Sequence, residues 1–390
     1  MNRRIVVKFG GASLSTPQNV RKAAQMVKES GYEEMVIVVS AMGRTTDKLI
    51  GCLSELGEVD EGDYCEVVSM GERVSARIFS AALRSIGVNS TYFDPQQERW
   101  PVITDSNFMR AKPDLAETRK RVDRHLENLL GDCVPVICGF LGRDQEGRIT
   151  TLGRGGSDTT ATLIGNCLEA DEIILVKDTE GILSADPDAV PNAKTLPELN
   201  VEEMFSLAHG GARIIHPKAL KYKLPGSKLR TVNFSSGKLS EGGTEITGVF
   251  NFHCIDMKKQ RGLTSLTVIG EINSKNLGRL LLELENGEIF GVCTGRESVT
   301  VFAKVNNSEE VIRSLHELDC FKAVSSQKNV GIIELINPNF IDSPGWMAEI
   351  SNALALKGIN ILEVTTSKST INLFIDGNTL DEAFKILKEL

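Results

Sequence analysis

The chain has 390 residues, too many for one ordinary domain, and its length points to two or three. A composition of 41% hydrophobic and 25% charged residues is that of a globular protein, which sets aside disordered and fibrous classes. The formal net charge of −8 argues against a general nucleic-acid binder, and no run approaches the ~18 apolar residues of a membrane span.

The first residues, "MNRRIVVKFGG", are basic but carry only a short apolar stretch. That reads as a strand rather than a signal peptide, and a cytoplasmic protein is expected. Eight cysteines include no C-x-x-C pair, and several lie in apolar runs, as Cys138 does in "VPVICGF". Buried free thiols in a reducing compartment are expected.

In chain order, Arg4–Phe9 is a continuous apolar run, as in a strand buried on both faces. Thr16 and Pro17 read as N-cap and first residue of a helix that Gly31 closes. Met35–Ala41, Val134–Phe140 and Glu172–Asp178 are predicted as further buried strands, and Asp114–Leu130 and Asp158–Leu168 as helices. "GRITTL" after "GRDQE" predicts a small hairpin, and "RTVNF" and "GTEITGV" end the series. Strands alternating with helices imply a largely parallel sheet covered on both sides, hence an α/β domain over residues 1–250.

The texture changes near "DMKKQRG" (256–262), so residues 251–262 are expected to form a linker or an edge strand. Beyond it, strand–helix–strand–strand–helix–strand patterns run over 263–328 and begin again over 329–390, a weak internal duplication. The second copy ends in its last helix, which leaves its fourth strand missing. A strand near Cys254–Lys258 would fill that edge and interleave the two α+β, ferredoxin-like units.

Four segments suit phosphate or carboxylate ligands. In "VKFGGAS" a strand carrying Lys8 runs into Gly10, Gly11 and Ser13, where bare backbone can approach an anion. A tight strand–helix turn with a solvated lysine would read the same way. "TTLGRGGSDTTATLIG" (Thr150–Gly165) sets Arg154, a planar bidentate donor, among glycines ahead of a helix. Ser157 and Asp158 at that helix start are also good caps. In "SMGERVSA" (Ser69–Ala76), Glu72 suits a substrate ammonium or is a plain helix glutamate. "VKDTEGILSADP" (Val176–Pro187) leads a strand end into Lys177, Asp178 and Gly181. Open α/β sheets bind ligands beyond the carboxyl ends of their strands, where these four segments would converge.

Several alternatives fail. There is no G-x-x-x-x-G-K-[ST] loop, and "GRGGSD" has Asp158 in place of a third glycine, so neither a P-loop nor a dinucleotide fingerprint is present. "AHGGA" (Ala208–Ala212) has no G-x-S-x-G elbow to match it. His209 and His216 lack metal-ligand spacing and are expected to be structural; no metal-ligand residues are predicted.

Taken together, "VKFGGAS", "VVSAMGRTTDKL", "SMGERVSA", "VPVICGFLGRD", "TTLGRGGSDTTA", "VKDTEGILSADP" and "GGARIIHPKAL" resemble, in order over residues 4–250, the aspartate kinases of the amino-acid kinase family. The tail resembles paired ACT domains. The resemblance implies phosphorylation of the β-carboxylate of L-aspartate with ATP and Mg²⁺, the first step towards lysine, threonine and methionine. It implies that Lys8 neutralises the transferred phosphoryl group and that Gly10, Gly11 and Ser13 cradle phosphates. Thr46 and Glu72 would hold aspartate, Glu72 through the amino group, while Arg154 clamps a carboxylate. Ser157 would line the substrate site and Asp158 would orient the cations. Lys177, Asp178 and the loop after them would contact the nucleotide, joined by Arg213, where the family commonly has lysine.

A carboxylate acceptor is ionised at neutral pH and needs no general base. The site must instead overcome repulsion between a dicarboxylate and a polyphosphate. The resemblance also implies feedback by an end-product amino acid, lysine or threonine, at the ACT domains. Gly291 stands where lysine-inhibited relatives often carry an acid, and Glu363 occupies the matching place in the second unit. A homodimer or dimer of dimers joined through open ACT edges is expected. Two other functions compete: a related kinase with another carboxylate acceptor, such as glutamate or acetylglutamate, and a non-catalytic amino-acid sensor.

Overall fold

The computed structural model describes residues 3–209, 215–249, 255–285, 287–341 and 344–390. The chain divides into two compact units, Met1–Phe250 and Asn251–Leu390.

The first unit is built on an eight-stranded sheet. Its strands are β1 (Arg4–Phe9), β2 (Glu34–Val39), β3 (Ser90–Phe93), β4 (Val134–Cys138), β7 (Glu172–Lys177), β10 (Glu198–Asn200), β11 (Lys228–Asn233) and β12 (Thr244–Thr247), in the order β10-β12-β11-β7-β1-β2-β4-β3. Every pairing is parallel except β11 with β12. Two small antiparallel pairs stand apart: β5 (Leu141–Arg143) with β6 (Ile149–Thr151), the expected hairpin, and β8 (Ile182–Leu183) with β9 (Thr195–Leu196). In β1, β2 and β7, five of six residues are buried, on both faces. Helices therefore cover the sheet on both sides.

One group of helices comprises α1 (Pro17–Glu29), α2 (Thr45–Glu55) and α3 (Glu61–Ser85), and another α4 (Leu115–His125), α5 (Gly156–Cys167), α6 (Val201–His209) and α7 (Pro217–Leu220). Thr16 caps α1 by accepting from the Asn19 N–H at 3.2 Å. Gly31 follows the helix at φ +70°, as the sequence predicts. The helix expected over Asp114–Leu130 is shorter: Asp114 is its cap, α4 ends at His125, and a 3-10 turn spans Glu127–Leu129. The 25-residue α3 is the longest helix among the described residues, started by Asp60 accepting from Gly62 N–H. Gly71 lets it lie close to the end of β2, since a Cβ there would be 2.8 Å from that of Ala41. Phe9 and Phe79 meet at 5.3 Å in the core between β1 and α3, and each fully buried ring of this kind contributes ~2–3 kcal/mol.

The second unit is one six-stranded antiparallel sheet, ordered β14-β15-β13-β16-β18-β17. Its strands are β13 (Asp256–Gly270), β14 (Glu288–Thr294), β15 (Ser298–Lys304), β16 (Phe321–Ile336), β17 (Ile361–Ser367) and β18 (Thr370–Asp376), with helices α8 (Ser274–Leu282), α9 (Ser308–Glu317), α10 (Trp346–Ala355) and α11 (Leu380–Leu387). Residues 256–262 do not form a loose linker: Asp256–Gln260 pairs antiparallel with Ile336–Ile332 beside the second repeat. Cys254 lies outside the described residues. "KAVSSQ" and "NVGIIELI", which the pattern separates into two strands, form a single strand, β16, that passes through Asn329 at φ +60°. Its partner β13 has Gly262 at φ +80°. Bends in both long strands let each serve two repeats. Phe302 and Phe374, at matching positions of β15 and β18, stack with ring centroids 3.8 Å apart.

Among the described residues no helix is long and apolar enough to cross a membrane. Cys65, Cys138 and Cys167 are buried free thiols, whereas Cys52 is exposed.

Candidate active site

The carboxyl ends of β1, β2, β4 and β7 open on one side of the sheet, and three charges, two buried and one partly buried, meet there. Lys8, one residue from the end of β1, places Nζ 2.7 Å from Asp158 Oδ1. Lys177, the last residue of β7, donates to Asp158 Oδ2 at 2.8 Å. Asp158 comes from the first turn of α5 and is 5% exposed; Lys8 is 6% exposed. Burial works against the charge on Asp158, but Lys177 and Lys8 outweigh it and hold its carboxyl well below the usual range. Burial lowers the pKa of Lys8, Asp158 counters the fall, and Lys177 adds to it. One carboxylate shared by two ammonium groups leaves a local excess of positive charge.

Asp158 does not cap its helix, contrary to one reading of the sequence. The N-cap is Gly155 at φ +71°, with no side-chain cap hydrogen bond, and α5 begins at Gly156 rather than Asp158. Ser157 and Asp158 therefore lie inside the first turn. Lys8 and Lys177 already hold the Asp158 carboxylate, so it does not turn back to the backbone. With no capping side chain, the N-terminal amides of α5 remain available to an anion. Gly155 is also sterically required: a Cβ there would collide with that of His216. His216 has a structural role, its Nδ1 accepting from Lys218 N–H at the start of α7. The side chain of His209 lies outside the described residues.

Lys8, Asp158 and the turn from Gly153 to Ser157 line a cavity of about 600 Å³. Lys8, Gly11, Thr46, Glu72, Arg154, Ser157 and Asp158, expected from the sequence, all face it. Gly11 is forced by close approach, because a Cβ would be 2.9 Å from Ala41 O and 3.0 Å from Gly43 O. Glu72 is 4% exposed. Its Oε1 accepts from Ala41 N–H at 3.0 Å, while its buried Oε2 has no hydrogen-bond partner. Burial raises its carboxyl to about 7, against the Ala41 amide and Lys8, which favour the charge. Arg154 is exposed and makes no ion pair among the described residues.

Four expected residues are not in this lining. Gly10 backs onto Lys8, Ser13 is buried with its hydroxyl unpartnered, Lys177 reaches the site through Asp158, and Asp178 is exposed just past β7. Arg213 lies outside the described residues. Sequence reasoning missed Ser40, Asp47, Ile50, Tyr64 and Met109, which also line the cavity. It also missed a neighbouring cavity of about 560 Å³ whose lining includes Glu180, Asn233 and Ser235. The available signal was position: Ser40 and Asn233 stand at the carboxyl ends of β2 and β11, where such sheets bind ligands.

The arrangement suits transfer of an anionic group to an anionic acceptor, with cations at the strand ends, bare glycine backbone, and a carboxylate plus an exposed guanidinium opposite. Comparison with known proteins agrees with that class. Residues 3–228 match the amino acid kinase family, and residues 325–389 match the ACT domain. An aspartokinase of Rickettsia conorii is 32% identical over 311 residues, spanning 74% of this chain and 76% of that protein. The crystal structure of aspartate kinase from Synechocystis superposes with a TM-score of 0.76 at 26% identity, over 99% of this chain and 69% of that one. E. coli aspartokinase III in complex with aspartate and ADP shares the fold, with a TM-score of 0.59 at 22% identity over 99% of both chains. The chain belongs to the amino acid kinase family, in its aspartokinase branch.

Proposed function

We propose that the chain is an aspartate kinase, transferring the γ-phosphoryl group of MgATP to the β-carboxylate of L-aspartate to give 4-phospho-L-aspartate. The observation that carries this reading is the single cavity in which Lys8, Asp158, Glu72 and Arg154 converge. Arg154 grips an aspartate carboxylate, and the open Oε2 of Glu72 takes its ammonium. Thr46 and Ser157 line the acceptor side. Lys8, held by Asp158, neutralises charge on the phosphoryl group in flight, and the amides at Gly10, Gly11 and the start of α5 cradle phosphate oxygens. The nucleoside end is assigned to the cavity beside Asn233 and Ser235, reached past Lys177 and Asp178, and Arg213 is proposed as a further contact to the nucleotide.

Mg²⁺ supplies further charge neutralisation when bound. Asp158 is already committed to two lysines, so the polyphosphate oxygens are its proposed ligands. No general base is required, because the acceptor is ionised.

Residues 1–250 would carry catalysis and 263–328 and 329–390 the regulation, by lysine or threonine, in a cytoplasmic homodimer or dimer of dimers. Effector binding is assigned to the second repeat. In the first, Gly291 offers no carboxylate, and a Cβ there would be 2.6 Å from the Phe374 ring.

A coupled assay with ATP, Mg²⁺ and a panel of aspartate, glutamate and acetylglutamate tests the reading. Turnover with aspartate alone is expected; a rate independent of aspartate refutes it.

A further inference from the structure

Next to Glu72 on α3, about 100° around the helix, Arg73 is held by a buried carboxylate. Asp94, just past β3, is 1% exposed. Its Oδ2 accepts from Arg73 Nε at 2.9 Å and from Arg77 Nη1 at 2.7 Å, and its Oδ1 from Gln96 N–H at 2.9 Å. Arg73, 8% exposed, also donates from Nη2 to Gln96 Oε1 at 2.6 Å. Arg77 donates as well to the Arg73 carbonyl at 2.8 Å, so one carboxylate binds two successive turns of α3. None of these residues lines the cavity that holds Glu72.

The geometry gives the clamp its purpose. Successive helical residues are about 100° apart, so Gly71 and Arg73 lie on nearly opposite sides of α3 with Glu72 between them. Gly71 abuts Ala41 on one side and Asp94 holds Arg73 on the other. The buried apolar stripe of α3 sets which face meets the core, and a directional contact narrows the rotation that remains about the helix axis. A side-chain tip ~6 Å from that axis moves about 1 Å for each ~10° of rotation, and a ~1 Å misplacement of a substrate-positioning group costs ~10²-fold in rate. A forked guanidinium on a buried carboxylate supplies that directional contact.

We propose that Arg73 and Asp94 are positioning residues that fix the rotation of α3 and so hold the Glu72 carboxylate at the Ala41 amide, ready for the acceptor's ammonium. The proposal rests on the reading of Glu72 as the ammonium site and extends it to residues that touch no substrate.

The test is Arg73→Met in the full chain, with two readouts. In steady-state kinetics, KM for aspartate should rise ~10-fold or more while KM for ATP stays within ~3-fold, and Arg73→Lys should recover part of the loss. In native-state hydrogen exchange without ligands, the Ala41 amide should exchange ~10-fold faster while the Val36–Val38 amides of β2 keep their protection. Equal rises in both KM values, or Ala41 exchange that moves only with the strand amides, would mean mere destabilisation and overturn the proposal. Should Arg73→Met not accumulate folded, Arg77→Met strips the more exposed arm of the clamp and carries the same readouts. A wild-type enzyme without aspartate-dependent turnover would refute the acceptor assignment, while the exchange experiment would still decide the clamp.

Discussion

The ammonium of Lys8 lies 2.7 Å from the carboxylate of Asp158, and both are almost wholly buried. Lys177 holds the other oxygen of the same carboxylate at 2.8 Å. One carboxylate is thus shared between two lysines at the edge of the cavity, which leaves positive charge to spare for a phosphate.

Lys8→Ala should lower kcat by about 10²-fold or more, the loss typical of a lone charge-stabilising contact in the transition state. Steady-state kinetics decide; turnover within ~3-fold of wild type contradicts the assignment. Asp158→Asn should be worse for the fold, because it leaves the buried Lys8 and the partly buried Lys177 without their counter-charge, at a cost on the order of 3–5 kcal/mol. Denaturant unfolding measures that loss.

Glu72→Gln should separate stability from binding. The folded carboxyl of Glu72 is raised from 4.5 to about 7. Its contribution to stability is therefore fully present below 4.5 and is lost as pH rises through about 7, where the buried group must ionise. The variant escapes that cost, so at pH ~8 it should be more stable by on the order of 2 kcal/mol yet bind aspartate at least ~10-fold more weakly, since a charge-assisted contact becomes a neutral one. Thermal melts and aspartate titrations over the same pH range test both halves.

The same group predicts the wild-type pH profile. Apparent affinity for aspartate should improve as pH rises through about 7, when Glu72 becomes the carboxylate that an ammonium needs. Glu72→Gln should flatten the profile. An unchanged inflection in the variant assigns the titration elsewhere.

Arg154 is exposed, so its loss should spare the fold. Arg154→Ala should raise KM for aspartate ~10-fold or more while unfolding free energy stays within ~0.5 kcal/mol. Arg154→Lys should recover only part of the affinity, because a point charge cannot reproduce a bidentate fork.

Gly155→Ala should disable the enzyme from outside the reacting groups. The position combines φ +71° with a close approach to His216 that leaves no room for a methyl group. A cost of ~1–3 kcal/mol from backbone strain alone is expected, with a larger loss of activity as the start of α5 shifts. His216→Ala should be milder, which Tm and kcat/KM of the two variants compare.

Much of the first unit was legible along the chain. Continuous apolar runs marked β1, β2, β4 and β7, because strands covered on both faces must be apolar throughout. Thr16 and Gly31 marked the ends of α1 through local capping chemistry. The motif glycines located the site, since Gly11 and Gly155 stand where a Cβ has no room. Less legible were α3, whose small and polar residues blur its period, and β3, only four residues long.

What the sequence determined by itself was therefore local: element type, caps, glycine positions, and the identities of Lys8, Glu72, Arg154 and Asp158. Tertiary structure decided what those side chains meet. Asp158 looked like a helix cap, and the turn from Gly155 instead delivers it to two lysines from different strands. Nothing in the sequence singles out Arg73; its pairing with Asp94, 21 positions away, exists only in the folded chain. "KAVSSQ" and "NVGIIELI" read as two strands, and pairing with β13 joined them into one. Capping and periodicity are set by neighbours within a few residues, whereas ion pairing and strand partnership depend on contacts that exist only after the chain has closed on itself.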